Sequence, residues 1–173
     1  MKVVDNFLDQ QTFDNIQSVM LSPDFPWHYN ETSITPPAPS VSQFIHVFYA
    51  DNIVRSYYNL INPLVVKLKP KSLQRIKANL NVKTNTIIET GEHTDMADDR
   101  FTSAVLFVND NNGYLRAGDK KIQSKANSLV VLKSNTLHTG TTCTDASRRV
   151  VINFVYISSV SYTHLTLPTN REV

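Results

Sequence analysis

The hydrophobic and polar positions follow a helical period in the first part of the chain and a strand-like period in the second. Over residues 7–21 the apolar residues recur at roughly helical spacing, with Asp9 placed to cap the first turn and Pro23 to stop the helix. A second amphipathic helix is predicted from Asp51 onward, and Pro70 should close it. Two helices before the strands are suited to cover one outer face of a sheet.

The segments around these helices carry different signals. Residues 25–29 form an aromatic cluster that favours a short strand, and residues 41–49 alternate loosely like a strand. Between them, residues 32–40 hold three prolines among serines and threonines, which predicts a loop.

From Leu73 onward apolar and polar residues alternate with a period of two, which is typical of half-buried strands. Further strands are predicted at 86–88, 103–108, 128–132 and 150–156. The segment Asn109–Gly113 has the composition of a hairpin turn, and Gly118–Lys120 is a second turn. Helices followed by short strands favour a mainly β fold with N-terminal helices, a double-sheet jelly roll.

Composition narrows the class of protein without naming it. The 173 residues suit one domain, and a hydrophobic fraction of 41% is enough for a real core. The net charge of +2 gives no support for nucleic acid or an acidic membrane as a partner. Cys143 is the only cysteine, and no apolar run approaches the length of a signal peptide core or a membrane span. We therefore expect a cytoplasmic protein without membrane contact.

The last residues do not continue either period. Residues 160–173, which include His164, are similar to the translation of a sequencing adapter joined to a truncated reading frame. We therefore expect one domain over residues 1–159, followed by a non-native tail.

The chemistry-bearing residues lie in the strand-rich half. His93 and Asp95 are two residues apart, so on a strand their side chains point to the same side. With His138 from another strand they would form the two-histidine, one-carboxylate arrangement that favours non-haem Fe(II) oxygenases. Three protein ligands on an octahedral ion leave three positions, enough for the keto and carboxylate oxygens of 2-oxoglutarate and for molecular oxygen.

Arg149, 11 residues after His138, completes this pattern. Its planar guanidinium can hold the far carboxylate of 2-oxoglutarate with two hydrogen bonds. It shares a strand face with Asn153, the expected neighbour of its charge, whereas Arg148 points the other way and is expected at the solvent or the rim. His28, His46 and Cys143 have no partners in the pattern, and we interpret them as structural.

Each of these signals is weak alone, but their order and spacing are specific in combination. The segments 75–80, 93–95, 109–114, 138–140 and 149–154, together with Asn127, resemble a group of small oxygenases from phages and marine bacteria, related to prolyl 4-hydroxylases. The resemblance covers about residues 70–157. It departs from the group at Tyr114–Ala117, where related sequences often carry threonine and an aromatic residue, and this affects substrate specificity more than metal binding.

The resemblance implies a cupin-like double-stranded β-helix that uses Fe(II) and 2-oxoglutarate and releases succinate and CO2. It also implies that His93, Asp95 and His138 ligate iron and that Arg149 binds 2-oxoglutarate. Asn79, on the strand before the metal-binding segment, is a further candidate for the pocket lining. Ascorbate is a candidate accessory reductant.

Two other functions stay open at this point. A cupin-like metal enzyme would not need 2-oxoglutarate, and a non-catalytic jelly-roll binding module would not need the metal. The substrate is equally open: a peptidyl proline, another protein side chain, a small molecule and a nucleobase all remain, although the mild charge argues against nucleic acid.

Overall fold

A computed structural model of the chain describes residues 1–30 and 41–159. The predicted loop at 32–40 and the predicted tail at 160–173 lie outside the described residues. Two helices and eleven strands occur in the described part, in the following order: β1 (Lys2–Val4), α1 (Gln10–Met20), β2 (His28–Asn30), β3 (Gln43–Ala50), β4 (Ile53–Val54), α2 (Tyr58–Leu68), β5 (Pro70–Val82), β6 (Phe101–Phe107), β7 (Tyr114–Ala117), β8 (Lys120–Gln123), β9 (Leu129–Lys133), β10 (Thr139–Gly140) and β11 (Arg148–Ser158).

The strands form two antiparallel sheets. In the large sheet the order is β1-β9-β6-β11-β5-β3-β2, with β4 paired to β3, and in the small sheet it is β10-β7-β8. Mainly antiparallel strands in two sheets, with helices contributed by the N-terminal part, confirm the predicted jelly-roll class.

The first helix follows the sequence prediction closely. The Asp9 carboxylate accepts a hydrogen bond of 2.9 Å from the backbone N–H of Thr12, which satisfies one of the free donors of the first turn. Phe13, Ile16 and Met20 form its buried face. The helix ends before Ser22, as expected from the proline that follows.

The second helix begins later than predicted. Residues 53–54 pair with β3 as the short strand β4, across a turn in which Asp51 and Asn52 both have positive φ. The helix therefore starts at Tyr58 instead of Asp51, because local strand pairing takes the apolar residues at 53 and 54 away from it. It ends at Leu68, and Pro70 opens β5.

Two predictions in the strand-rich half were wrong in detail. Residues 86–88 are irregular, with only an isolated bridge at Glu89. The segment Asn109–Gly113 does not close a hairpin, because β6 belongs to the large sheet and β7 to the small one. It carries the chain from one sheet to the other. The turn at Gly118, where φ is +56°, does join β7 and β8 as predicted.

The alternation of β11 separates two environments. Its even-numbered residues pack with α1 and α2 in the main hydrophobic core, as the sequence predicted; they are Val150, Ile152, Phe154 and Tyr156. The opposite face points into the space between the two sheets. A smaller apolar cluster lies there; it contains Val105, Phe107, Leu115, Val130, Leu132 and Val151. Polar side chains occupy the remainder of this interior face.

Candidate metal centre

His93, Asp95 and His138 come together between the sheets. One ligand atom from each lies within 4.8 Å of the others. The backbones of His93 and His138 exchange two hydrogen bonds of 2.9 Å, and the backbone N–H of Asp95 donates to Ser134 O at 2.9 Å. His93 and Asp95 thus project from an extended loop held by an isolated bridge instead of the regular strand that was expected. Two ligands of one metal are at most about 4 Å apart, so a shift of roughly 1 Å closes the group onto an ion.

The backbone around both imidazoles favours the form that binds metal. His138 Nδ1 lies 2.8 Å from Thr136 O, and His93 Nδ1 lies 3.3 Å from Gly91 O. Because a carbonyl oxygen only accepts hydrogen bonds, each Nδ1 must carry the proton, which leaves each Nε2 with a free lone pair. Burial, and then the neighbouring His138, lower the pKa of His93, which also favours the neutral ring.

A cation fits between these groups. His138 Nε2 lies 3.7 Å from Asp95 Oδ2, and in the neutral ring both atoms present lone pairs to each other. Such an approach is unfavourable unless a positive ion or a proton lies between the two atoms. The ring centroids of His93 and His138 are 4.6 Å apart, so both rings border the same point.

The Asp95 carboxylate is held from several directions, with its side chain only 2% exposed. Ser103 Oγ donates to Oδ2 at 2.6 Å, and Asn153 Nδ2 donates to both oxygens at 3.1 and 3.3 Å. Arg75 Nη2 lies 3.4 Å from Oδ1. Partners of this kind fix the orientation of a ligand before metal binds.

Asn153 is therefore not the neighbour of Arg149 that the sequence suggested. The two residues do share a strand face, but four residues of an extended strand separate them by roughly 13 Å. At its own position along β11, Asn153 donates hydrogen bonds to the Asp95 carboxylate instead. Ser103 was also missed, although its place in the alternation of β6 puts it on the same interior face.

A small open cavity of about 180 Å³ adjoins the group; its lining residues are Gln43, Arg75, Lys77, Asn79, Thr90, His93, Thr94, Asp95 and Asn153. Asn79 lies in this lining, as the sequence analysis expected. The buried side-chain oxygens of Asn79 and Asn153 have no hydrogen-bond partner among the described residues. A larger cavity of about 480 Å³ lies elsewhere, near Asp5 and Asp145, and contains none of the three candidate ligands. We therefore place the chemistry in the smaller cavity, where the ligand atoms converge.

Arg149 lies inside the molecule, only 3% exposed. Its Nε donates to Ser124 Oγ at 2.8 Å, its Nη1 donates to Thr141 O at 3.4 Å, and the guanidinium lies over the Phe107 ring at 5.6 Å. No carboxylate within the described ranges contacts it, and burial lowers its pKa to about 10. A buried cation with only neutral partners is costly unless an anion arrives.

Two glycines make room for this guanidinium. A Cβ at Gly113 would lie 2.6 Å from Arg149 Cδ and from Thr142 O, so a side chain there would displace the arginine. A Cβ at Gly140 would lie 3.5 Å from Arg149 Nη1 and 4.0 Å from Thr90 Oγ1. Because Thr90 lines the metal-side cavity, Arg149 sits just behind the wall of that cavity instead of in its lining.

The remaining candidates from the sequence have structural contacts. Arg148 is only partly exposed, and its Nη2 donates to Leu21 O at the end of α1. His46 is 2% exposed, and its ring nitrogens lie 2.8 and 3.1 Å from the carbonyl oxygens of Pro26 and Ser56. Cys143 is buried, and burial raises the pKa of its thiol, which makes it a poor nucleophile.

In the described part of the chain, no helix has both the length and the apolar character needed to cross a membrane.

Comparison with solved structures identifies the fold. A prolyl-4-hydroxylase from Pseudomonas putida superposes with a TM-score of 0.60 at 15% identity, over 92% of both chains. A 2OG-Fe(II) oxygenase family oxidoreductase from Burkholderia pseudomallei gives a TM-score of 0.61 at 13% identity, over 89% of this chain and 82% of that one.

A third match is a prolyl hydroxylase from Trichoplax adhaerens, in complex with a peptide fragment of the hypoxia inducible factor oxygen degradation domain. It superposes with a TM-score of 0.60 at 12% identity, over 91% of this chain and 83% of that one. No family model matches the sequence, and no curated protein matches it either. At these identities the likeness establishes the fold alone: the chain has the double-stranded β-helix of the 2-oxoglutarate oxygenases.

Proposed function

We propose that this protein is a non-haem Fe(II)- and 2-oxoglutarate-dependent dioxygenase that hydroxylates its substrate with release of succinate and CO2. The observation that carries the proposal is the convergence of two imidazoles and one buried carboxylate beside an open cavity. Two histidines and one carboxylate suit Fe(II) and leave positions free for other ligands. His93, Asp95 and His138 are the proposed iron ligands.

The protein's own contribution is to hold these ligands ready. The carbonyl oxygens of Gly91 and Thr136 fix the tautomer of each histidine, and Ser103 with Asn153 orients the carboxylate of Asp95. One negative ligand leaves a bound divalent ion with net positive charge, which attracts an anionic co-substrate. Bound Fe(II) would supply the oxygen chemistry that couples decarboxylation of 2-oxoglutarate to hydroxylation.

Arg149 is the proposed partner of the distal carboxylate of 2-oxoglutarate. It is buried, has no carboxylate partner among the residues described, and sits behind Thr90 at the edge of the cavity. An arriving carboxylate would offset the burial that depresses its pKa. Along β11 the backbone positions of Arg149 and Asn153 are roughly 13 Å apart. Asn153 is the one that contacts Asp95, so the proposal leaves room for a five-carbon co-substrate. We propose that Asn79 also borders the bound co-substrate.

The substrate class is proposed more broadly. One structural neighbour was solved with a peptide, and another is an epimerase in nogalamycin biosynthesis, solved with α-ketoglutarate and nogalamycin RO. A peptide, including peptidyl proline, and a small molecule are therefore both candidate substrates. We assign the activity to a single domain over residues 1–159 and propose the cytoplasm as its location.

The test combines metal binding with co-substrate turnover. Protein reconstituted with Fe(II) without oxygen should form succinate once oxygen and 2-oxoglutarate are added, and candidate peptides should raise the rate. His138→Ala should abolish succinate formation and weaken Mn(II) binding at least 100-fold, whereas His28→Ala, away from the cavity, should change neither. Metal binding without any dependence on 2-oxoglutarate would favour a cupin-like enzyme, and absence of metal binding would favour a non-catalytic module.

A further inference from the structure

We propose that Arg75 and Lys77, on the wall of the metal-side cavity, bind an anionic group of the substrate to be hydroxylated, a carboxylate or a phosphate. This inference rests on the proposed oxygenase function and adds the chemical class of its substrate. Both residues project from the interior face of β5 and line the cavity together with His93 and Asp95.

Lys77 supplies the stronger of the two arguments for an anion site. Its side chain is half-buried, yet its ammonium group makes no hydrogen bond or ion pair with any residue in the ranges that the structure describes. Burial, and next the charge of Arg75, lower the pKa of Lys77, and the charge of Asp95 offsets this only in part. A cation withdrawn from water without a direct hydrogen-bond or ion-pair partner is unfavourable, so the position makes physical sense when a ligand supplies the negative charge.

Arg75 has only a weak partner. Its Nη2 lies 3.4 Å from Asp95 Oδ1, in a contact with one oxygen instead of the parallel pair that arginine forms with a free carboxylate. Its Nε is buried and has no hydrogen-bond partner among residues 1–30 and 41–159. When Asp95 ligates a metal ion, that ion neutralises most of the carboxylate's charge. Less negative charge then remains to neutralise the guanidinium of Arg75.

The net charge of the cavity also favours an anionic substrate. Its lining carries two cations, Arg75 and Lys77, against one carboxylate, Asp95. A divalent ion adds two positive charges, and the dianion 2-oxoglutarate cancels only two, so the loaded cavity stays positive. A substrate with one further negative charge matches this environment, whereas a neutral one leaves one positive charge uncompensated.

Two buried amide oxygens narrow the chemical class of the inferred substrate. The side-chain oxygens of Asn79 and Asn153 are buried beside the same cavity and accept no hydrogen bond from the part of the chain that the structure describes. They are suited to accept from N–H or O–H groups near the anion, which a hydroxy acid, an amino acid or an acidic residue within a peptide offers. The substrate we infer therefore combines an anionic group with a neighbouring hydrogen-bond donor.

The experiment uses small anions as probes on the full chain loaded with Mn(II) and saturated with 2-oxoglutarate without oxygen. Acetate and inorganic phosphate are titrated by isothermal calorimetry. Lys77→Met keeps the aliphatic stem and removes the charge, and Lys71→Met is the matched control, since Lys71 is exposed on the same strand and does not line the cavity. We expect Lys77→Met to weaken anion binding tenfold or more and Lys71→Met to change it less than twofold.

A second readout separates this site from the co-substrate site. The Kd for 2-oxoglutarate and the Kd for Mn(II) should stay within threefold of wild type in Lys77→Met. Arg75→Gln should also weaken anion binding, and Lys77→Gln replaces Lys77→Met if the latter does not fold. Unchanged anion affinity in Lys77→Met would overturn the inference, and so would a loss of 2-oxoglutarate affinity equal to the loss of anion affinity.

A failure of the proposed oxygenase function would give a different result from a failure of the anion site. If Mn(II)-loaded wild type binds no 2-oxoglutarate but still binds phosphate or acetate in a Lys77-dependent manner, the oxygenase assignment fails and the anion site stands.

Discussion

The two faces of the large sheet use the same strands for opposite purposes. On the face covered by α1 and α2, the residues of β11 are apolar and fully enclosed, with Ile152 and Phe154 at 0% exposure. On the interior face of that strand, Arg149 and Asn153 are almost as buried but polar, at 3% and 7% exposure. Burial alone therefore does not distinguish the two faces; the difference lies in whether the buried groups are satisfied by packing or by polar partners.

This difference assigns separate roles to neighbouring residues. The helix-covered face contributes the free energy of folding, because its side chains leave water without losing any hydrogen bond. The interior face holds polar groups whose partners are incomplete, such as the amide oxygen of Asn153, which accepts no hydrogen bond from any described residue. Incomplete satisfaction is unfavourable in a folded protein and is expected where a ligand supplies the missing partner.

The largest effect is expected on the helix-covered face. Phe154→Ala removes a fully buried ring from the main core and should lower the free energy of unfolding by about 3–5 kcal/mol. Chemical denaturation of the metal-free protein measures this. Metal affinity, measured on the fraction that stays folded, should change little, because Phe154 faces away from the cavity. A loss of stability below about 1 kcal/mol would show that the helices do not enclose this face.

Next in size is the loss of the buried cation on the interior face. Arg149→Gln should weaken 2-oxoglutarate binding by about 2–5 kcal/mol, since a desolvated ion pair loses one partner. Arg149→Lys keeps the charge but loses the planar guanidinium that forms two parallel hydrogen bonds. Its effect on 2-oxoglutarate binding should therefore be smaller than that of Arg149→Gln. The readout is the Kd for 2-oxoglutarate in the Mn(II)-loaded protein.

Arg148→Gln is the adjacent control for this prediction. It removes the hydrogen bond to Leu21 O and should lower the melting temperature slightly without changing the Kd for 2-oxoglutarate. If Arg148→Gln weakens co-substrate binding and Arg149→Gln does not, the assignment of the two faces is reversed.

A third change tests the residue directly before Phe154. Asn153→Ala removes the amide that donates to both oxygens of Asp95, and it should weaken Mn(II) binding about 10- to 100-fold, the usual cost of losing a group that orients a ligand. Metal titration measures the affinity, and denaturation should show a much smaller loss of stability than for Phe154→Ala. Equal stability losses in the two variants would remove the distinction between the faces.

The sequence predicted the features that depend on local pattern. The period of two along β11 separated Arg149 from Phe154 correctly, because side chains on any strand alternate. The spacing of His93, Asp95 and His138 predicted their convergence, even though His93 and Asp95 project from a loop. The capping role of Asp9 is likewise visible in a few neighbouring residues.

The missed features depend on contacts between distant segments. Local composition marks Asn109–Gly113 as a turn but does not tell which sheet receives the next strand. The apolar residues at 53 and 54 fit a helix until β3 offers them a pairing partner. Asn153 had the correct direction, but its partner depends on where the loop carrying Asp95 crosses the sheet, which no local pattern encodes.

The smallest effect concerns the link between the small sheet and the segment that leads to His93. Glu89 accepts hydrogen bonds from Arg116 Nη2 at 2.6 Å and Nε at 2.8 Å, and from Tyr114 Oη at 3.0 Å. These bonds, those of Arg116 first, lower the pKa of Glu89 to about 2 from its ordinary 4.5. A lowered pKa in the folded state means that the stabilisation is fully present above pH 4.5 and is lost as the pH falls from there toward 2.

Glu89→Gln should therefore have a lower melting temperature than wild type at pH 6, and the gap should shrink steadily between pH 4.5 and pH 2.5. The gap should be small throughout, because the Glu89 side chain is 33% exposed and water screens the pair. Asp119→Asn, in the exposed turn between β7 and β8, is the control and should leave the pH profile unchanged. Melting curves followed by circular dichroism across this range supply the measurement. A gap that stays constant down to pH 2.5 would show that the charge of Glu89 does not hold the segment before His93 against the small sheet.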